Sequence, residues 1–145
     1  MTIFIGADHR GFELKNKLLE YLQEKNIRVE DLGALQYEKT DDASDFAFKV
    51  SQAVLQNPAY LGIVICGSGV AVNIAANRLK GILCGIGFDV EQVKHMKAWD
   101  HTNILALAAD YFDLEKAKLL VDAFIETPFG VEERMLRRVK KLDEL

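Results

Sequence analysis

The feature that most constrains the fold of this chain is the stretch Gly-Ile-Val-Ile-Cys-Gly-Ser-Gly at residues 62–69. Its first half is an apolar, β-branched run, which is typical of a parallel strand buried on both faces. Its second half contains two glycines, which allow the backbone to turn tightly and to direct several N–H groups towards one point. The strand is therefore predicted to end at Cys66, and the Gly-Ser-Gly turn opens a helix that continues through Asn77.

The rest of the chain alternates between strand and helix patterns almost to its end. Helices with apolar spacings of three and four residues follow four further strands, predicted over residues 2–7, 28–32, 82–86 and 103–107. Five strands alternating with helices predict a three-layer α/β/α sandwich around a doubly wound, five-stranded parallel sheet of Rossmann-like type. Residues 1–145 are predicted to form a single domain, whose last helix, about 130–145, is basic and amphipathic.

Composition excludes several classes of function. Half of the 145 residues are hydrophobic and the formal net charge is −4, which favours a globular domain and disfavours a nucleic-acid-binding surface over the whole protein. Cys66 and Cys84 lack the spacing of a zinc site, and no apolar stretch is long enough to span a membrane. The N-terminus enters the first strand without a signal-peptide pattern. We therefore expect a cytoplasmic protein with no metal, no cofactor, and no nucleic-acid or membrane partner.

Reactive side chains follow the carboxyl ends of the predicted strands. Asp8 and His9 come directly after the first strand, and Cys66 ends the third. Because ligands gather where the carboxyl ends of parallel strands meet, these three residues are expected to converge on one crevice. A thiol beside a turn of backbone N–H groups is suited to forming a thiolate and to stabilising a developing oxyanion.

Three kinds of chemistry fit this crevice to different degrees. A dinucleotide site is disfavoured because Val72 takes the position of the third glycine, and no Gly-Lys-Ser/Thr element is present for a P-loop. A nucleophilic cysteine would need a histidine base, for which His9 and His101 are the better placed of three candidates. Proton transfer beside a carbonyl needs a base, an oxyanion pocket and groups that orient hydroxyls. The crevice supplies all three, with Cys66 as the base.

Two motifs of the chain closely resemble signatures of the type B ribose-5-phosphate isomerases, a family that includes the subunits of galactose-6-phosphate isomerase. They are Gly-Ala-Asp-His-Arg-Gly-Phe-Glu-Leu-Lys at 6–15 and the stretch at 62–69. Further matches follow in order at 74–78, 81–82, 102–106 and 127–129, so the resemblance covers nearly the whole chain. It implies a sheet in the order 2-1-3-5-4, and a homodimer or homotetramer with active sites between subunits. It also implies a cofactor-free aldose–ketose isomerase of a small sugar phosphate.

The resemblance further implies a role for individual residues. In the family, the cysteine that matches Cys66 moves a proton between C1 and C2 of the sugar through an enediolate, beside an anion hole lined by Ser68 and the loop backbone. The catalytic residues expected on this basis are Cys66, Ser68 and His101. The expected substrate-binding residues are Asp8, His9, Gly67, Gly69, Val70, Asn103, Arg134 and Arg138.

Two departures from the family pattern fall among these expected contacts. Trp99 stands where the family usually has a histidine that opens the sugar ring, and His101 can replace that histidine only if the helix end shifts. Asp110 stands in place of an arginine that helps to hold phosphate, and a carboxylate repels phosphate unless a cation intervenes. Three functions therefore remain open. The first is an isomerase with ribose 5-phosphate and ribulose 5-phosphate as the default pair, and the second is an isomerase of a different sugar, such as an open-chain or hexose sugar. The third is a non-catalytic, sugar-phosphate-binding or subunit-type member of the family.

Overall fold

The computed structural model describes residues 1–145 as a five-stranded sheet with helices on both faces. The strands are β1 (Ile3–Ala7), β2 (Val29–Asp31), β3 (Leu61–Cys66), β4 (Cys84–Ile86) and β5 (Ile104–Ala108). The helices are α1 (Phe12–Glu24), α2 (Ala43–Val54), α3 (Val70–Ala76), α4 (Val90–Asp100), α5 (Leu114–Glu126) and α6 (Glu133–Asp143). All neighbouring strands are parallel, in the order β2-β1-β3-β5-β4, which confirms the predicted doubly wound sheet and its strand order.

Helices cover both faces of the sheet, and every residue of β1, β3 and β5 is buried. This two-sided burial is why the inner strands are continuous apolar runs rather than alternating patterns. One face packs against α1, α4 and α5, around side chains such as Leu18, Leu105 and Phe124. The other face packs against α2 and α3, where Val50 and Val72 lie at the centre.

The ends of the predicted strands agree with the structure to within two residues, whereas the last helix, predicted over about 130–145, covers Glu133–Asp143. Asp113 caps the start of α5, because its carboxylate accepts the Lys116 N–H at 2.8 Å. Helix α3 has only seven residues and ends at Ala76. Directly after it, the side chain of Asn77 hydrogen-bonds both the N–H and the carbonyl group of Cys84, and so ties α3 to β4. No helix of the chain combines the length and the apolar character needed to span a bilayer.

The parallel arrangement divides the loops between two edges of the sheet. The loops that follow the strands lie at the carboxyl edge, and the loops that precede them lie at the amino edge. Between β3 and β5, Cys66 pairs with Ala108 and Gly62 pairs with Ile104. Four residue steps of about 3.3 Å each separate Gly62 from Cys66 by about 13 Å along β3. This separation decides which of the predicted site residues can meet within one chain.

Candidate active site

Cys66 stands at the carboxyl edge, where the loop 67–69 carries the chain from β3 into α3. The carbonyl oxygen of Cys66 accepts the Ala109 N–H at 2.9 Å, and that of Gly67 accepts the Asp110 N–H at 3.0 Å. These hydrogen bonds hold the loop against the end of β5, and only 4% of Cys66 is exposed. The backbone that carries the thiol is therefore held in place on both sides.

Gly69 provides the turn that leads into α3. Its φ of +74° lies in the left-handed region, and a Cβ at this position would lie 3.3 Å from the backbone of Leu107 and Ala108. One residue earlier, the Ser68 hydroxyl oxygen accepts the Val70 N–H at 3.2 Å. Because its oxygen is the acceptor in this contact, the Ser68 hydroxyl keeps its own hydrogen to donate to another group.

Asp8 and His9 follow β1 directly and lie at the same edge as Cys66. The Asp8 N–H donates to the carbonyl group of Ile65 at 3.3 Å, next to the cysteine. One carboxylate oxygen of the buried Asp8 accepts the N–H groups of Arg10 and Gly11, at 3.0 and 3.1 Å. The structure therefore brings together Asp8, His9 and the Cys66 loop, as the order of strands and loops predicts.

Asp41 joins this crevice, although the sequence analysis did not single it out. Its Oδ1 accepts the N–H of His9 at 2.9 Å and lies 2.8 Å from His9 Nδ1. In the sequence, the acidic residues here fit the start of α2, where negative charge suits the helix dipole. The signal that could have identified Asp41 is topological, because the loop between β2 and α2 also lies at the carboxyl edge.

Asp8, His9 and Asp41 are also the residues that could hold a cation. Each offers one potential ligand atom, and these atoms lie within 4.8 Å of one another. In this arrangement both carboxylates already accept backbone N–H groups, and His9 Nδ1 faces Asp41. A metal ion would therefore compete with the hydrogen bond between His9 and Asp41.

The carboxylate of Asp110, which departs from the family pattern, forms an ion pair with Arg10. The pair lies over the Cys66 loop: a Cβ on Gly67 would lie 2.6 Å from Asp110 Oδ2 and 2.7 Å from Arg10 Nε. Arg10 therefore supplies the cation that an anionic ligand would need beside Asp110. Glycine at position 67 leaves the space that both side chains occupy.

His101 lies at the amino edge, because it precedes β5. Its φ is +52° at the end of α4, its ring stacks on Phe129 with centroids 4.8 Å apart, and its Nε2 lies 2.8 Å from the Gly130 carbonyl oxygen. Within its own chain His101 therefore does not approach Cys66, and its expected catalytic role stays a prediction. The loop before a parallel strand and the loop after it lie at opposite edges of the sheet.

Asn103 also lies at the amino edge, and its side chain has local partners. Its Oδ1 accepts the Leu83 N–H and its Nδ2 donates to the Gly81 carbonyl group, both at 2.9 Å. These bonds hold the turn before β4 against the start of β5. Within its own chain, Asn103 therefore has a structural role and does not approach Cys66.

Arg134 and Arg138 lie on α6, over the indole ring of Trp99. The guanidinium carbons lie 4.7 Å and 5.9 Å from the ring centroid, and His95 stacks on the same indole at 5.6 Å between centroids. Trp99 lies near the end of α4, which has run back from the carboxyl edge to the amino edge. We define the amino-edge cluster as five residues: Trp99, Arg134, Arg138, His101 and Phe129. Within one chain this cluster does not contact Cys66.

Two buried groups outside the crevice have shifted pKa values. Burial raises the pKa of the Cys84 thiol in β4, which keeps that sulfur protonated and leaves Cys66 as the candidate base. Burial lowers the pKa of Lys97 to about 8. The Lys97 ammonium donates to the Phe124 carbonyl group at 2.6 Å and lies 5.0 Å from the ring centroid of Phe129.

The chain matches the family model described as Ribose/Galactose Isomerase over residues 3–142. It belongs to this family. It is 32% identical over 144 residues to the ribose-5-phosphate isomerase B of Mycobacterium tuberculosis, covering 99% of this chain and 89% of that protein. It is also 37% identical over 127 residues to a probable ribose-5-phosphate isomerase B of Mycoplasma pneumoniae, covering 88% of this chain and 84% of that one.

Solved structures of the family superpose closely on this fold. A ribose 5-phosphate isomerase of Thermotoga maritima is 40% identical, with a TM-score of 0.94 over 99% of this chain and 98% of that one. The ribose-5-phosphate isomerase B of Mycoplasma genitalium, with bound ribulose-5-phosphate, is 35% identical, with a TM-score of 0.94 over 99% and 94% of the two chains. These matches confirm the predicted family, the predicted fold and the predicted enzyme class, an isomerase.

Proposed function

We propose that this chain interconverts an aldose phosphate and the corresponding ketose phosphate without a cofactor, with ribose 5-phosphate and ribulose 5-phosphate as the pair. The observation that carries the proposal is the position of Cys66. Cys66 ends β3 at the carboxyl edge, where the Asp8 N–H donates to the neighbouring Ile65 carbonyl group and a glycine loop follows the cysteine. Proton transfer next to a carbonyl requires a base, polar groups and an anion-binding loop of this kind at one place. A relative 35% identical to this chain has been solved with ribulose-5-phosphate bound.

In the proposed reaction, the thiolate of Cys66 removes the proton from C2 of the open-chain aldose. The electrons of that C–H bond form a C1–C2 double bond, and the carbonyl oxygen O1 takes the negative charge of the enediolate. The proton returns from Cys66 to C1 and the proton on O2 passes to O1, so that C2 becomes the carbonyl carbon and the product is the ketose. The Ser68 hydroxyl donates to the enediolate oxygen, and the backbone of Gly67, Gly69 and Val70 lines the same pocket. Asp8 and His9 bind the sugar.

We also propose that a second copy of the chain supplies the phosphate site. Arg134 and Arg138 lie at the amino edge of their own chain, too far along the sheet to reach a sugar held at Cys66. Helix α6 buries only Met135, and Leu136 and Leu142 on the same helix are exposed. An amphipathic helix of this kind fits a homodimer in which α6 packs on the second copy and presents its arginines to the partner's crevice. His101 and Asn103 would approach the substrate from the same side.

An isomerisation assay on a panel of pentose and hexose phosphates tests the proposed activity. We expect Cys66→Ala to lose about a thousandfold in turnover, within the range that a positioned general base contributes. Cys84→Ala is the matched control: it removes the other cysteine and should keep full activity. Wild-type protein that is inactive on the whole panel would contradict the isomerase. If sugar phosphates still raised the unfolding temperature of that inactive protein, the chain would be the binding-type member of the family.

A further inference from the structure

The three histidines of the chain are placed for different tasks. His101 is bonded to Gly130 and His95 stacks on Trp99, both towards the amino edge, whereas His9 lies beside Cys66. A sugar phosphate in its furanose form must open before the proton on C2 can be removed. Trp99, which stands where the family usually has the ring-opening histidine, carries only an N–H donor and cannot take up a proton. The crevice therefore needs another acid–base group for ring opening.

Asp41 sets the orientation and the tautomer of His9. Its Oδ1 lies 2.8 Å from His9 Nδ1 and also accepts the His9 backbone N–H at 2.9 Å, so both the ring and the backbone are held by one oxygen. An ionised carboxylate only accepts hydrogen bonds, which assigns the hydrogen to Nδ1 and leaves a lone pair on Nε2. Nε2 has no hydrogen-bond partner within the chain, and 25% of the His9 side chain is exposed.

The carboxylate of Asp41 is largely shielded from solvent. Only 10% of the Asp41 side chain is exposed, and its second oxygen, Oδ2, is buried without a hydrogen-bond partner. Held against Nδ1, this carboxylate keeps the ring in one orientation and one tautomer. In this tautomer Nε2 can accept a proton but has none to donate, as a general base requires.

We infer that His9, oriented by Asp41, opens the ring of the sugar phosphate, an inference that rests on the proposed isomerase function. Nε2 takes the proton from O1 of the furanose, and the electrons of the O1–H bond form the C1=O1 carbonyl. The C1–O4 bond breaks, its electron pair goes to O4, and the imidazolium passes its proton to O4. Because O1 and O4 are both bonded to C1, one nitrogen can serve both atoms. Cys66 then acts on the open chain.

The test separates ring opening from proton transfer at carbon. In ribulose 5-phosphate the phosphate occupies O5, the oxygen that would close a five-membered ring, so this ketose is open-chain and bypasses the step assigned to His9. In deuterium oxide, its C1 hydrogen exchanges with solvent by way of the enediolate alone. The two measurements are therefore kcat for ribose 5-phosphate and the rate of deuterium incorporation into ribulose 5-phosphate, followed by NMR.

We expect His9→Gln to lower kcat for ribose 5-phosphate about a hundredfold, in the range of a positioned acid–base group. Deuterium exchange is measured at saturating ribulose 5-phosphate, so that weaker binding of the sugar does not enter, and should stay within about threefold of wild type. Asp41→Asn keeps an oxygen beside Nδ1 but removes the charge, and should lower the same kcat about tenfold with no change in KM or in exchange. Cys66→Ala should abolish both reactions. If His9→Gln is poorly folded, Asp41→Asn provides the same comparison of the two rates.

Equal loss of both reactions in the His9 and Asp41 variants would overturn the inference, because it would mean that the pair only binds or positions the sugar. Unchanged turnover of ribose 5-phosphate in His9→Gln would overturn it as well. Failure of the proposed function has a different outcome: the wild-type protein itself would neither isomerise ribose 5-phosphate nor exchange the hydrogen of ribulose 5-phosphate, and the inference would fall with it.

Discussion

At the carboxyl edge of the sheet, charged side chains are held by hydrogen bonds to the backbone, whereas at the amino edge they rest on aromatic rings. Asp8 and Asp41 each accept two N–H donors, and the Cys66 loop is tied to the end of β5. At the other edge, Arg134 and Arg138 lie over the face of Trp99 on the exposed surface of α6.

The different contacts at the two edges suit different kinds of group. Hydrogen bonds to the backbone fix a side chain in one position, whereas contact with an aromatic ring leaves it free to shift towards a ligand. A group that moves a proton must stay within hydrogen-bond reach of one atom, which requires short contacts to a rigid backbone. A guanidinium that binds phosphate acts over a wider range of positions, and an indole ring can support it without fixing it. In the proposed function, the carboxyl edge is the catalytic half of the site and the amino edge is the phosphate-binding half, each supplied by a different copy of the chain.

The strongest test of this division is complementation between two inactive variants. Cys66→Ala lacks the base, and the Arg134→Ala/Arg138→Ala double variant lacks the phosphate contacts, so each alone should be nearly inactive. In a mixed homodimer, one of the two crevices receives Cys66 and both arginines. Co-expression in equal amounts should therefore restore roughly one quarter of wild-type activity in the isomerisation assay.

The absence of any recovery in co-purified mixed dimers would contradict the shared site, because arginines acting within their own chain cannot complement. A mixture of Cys66→Ala with Cys66→Ser is the matched control and should stay inactive. Size-exclusion chromatography of each variant checks that the copies associate before activities are compared.

Strain introduced at the two edges should have different consequences for activity. Gly69 and Gly81 both have positive φ values, and Gly69 lies in the Cys66 loop whereas Gly81 lies in the turn before β4 at the amino edge. Alanine at either position should lower the free energy of unfolding by about 1–2 kcal/mol, the cost of the left-handed region. Only Gly69→Ala should also lower kcat, by about a hundredfold, because its Cβ presses on the backbone of β5 and displaces the loop.

Urea unfolding and steady-state kinetics on both glycine variants check this prediction. Equal losses of kcat in Gly69→Ala and Gly81→Ala would indicate that global stability, and not the position of the Cys66 loop, controls turnover.

The smallest expected effect concerns Lys97, a buried cation of the amino edge with no carboxylate as partner. Burial lowers its pKa to about 8, from an ordinary value of 10.5. Between these two values the unfolded chain binds more protons than the folded chain, so the free energy of unfolding should rise with pH across this window. Lys97→Met removes the titrating group, and the stability of wild type minus that of Lys97→Met should therefore increase from about pH 7.5 to about pH 9.5.

Urea unfolding of both proteins at the two pH values measures this difference, and comparison with Lys97→Met cancels the titration of other groups. A difference that stays constant, or that falls as the pH rises, would contradict a buried lysine whose protonation opposes folding.

Much of the candidate site was predictable because its residues follow strands. A residue such as Asp8 or Cys66 is placed at the carboxyl edge by the length of the strand before it and by the parallel topology, both of which show in the periodicity of the sequence. His101 precedes β5 and so lies at the amino edge, which the same periodicity indicates. Whether it meets a substrate depends on how two copies of the chain pack, and that does not show in the sequence of one chain.

The sequence by itself determined the alternating elements, the parallel sheet and the thiol at the glycine turn, because periodicity, glycine geometry and helix caps depend on neighbours a few residues apart. Only the tertiary structure decided which polar groups pair across the crevice. Asp41 and His9 are 32 residues apart, and Arg10 and Asp110 are 100 residues apart. Such contacts depend on the order of strands and the path of loops, which bring distant side chains within 3 Å only once the whole sheet is assembled.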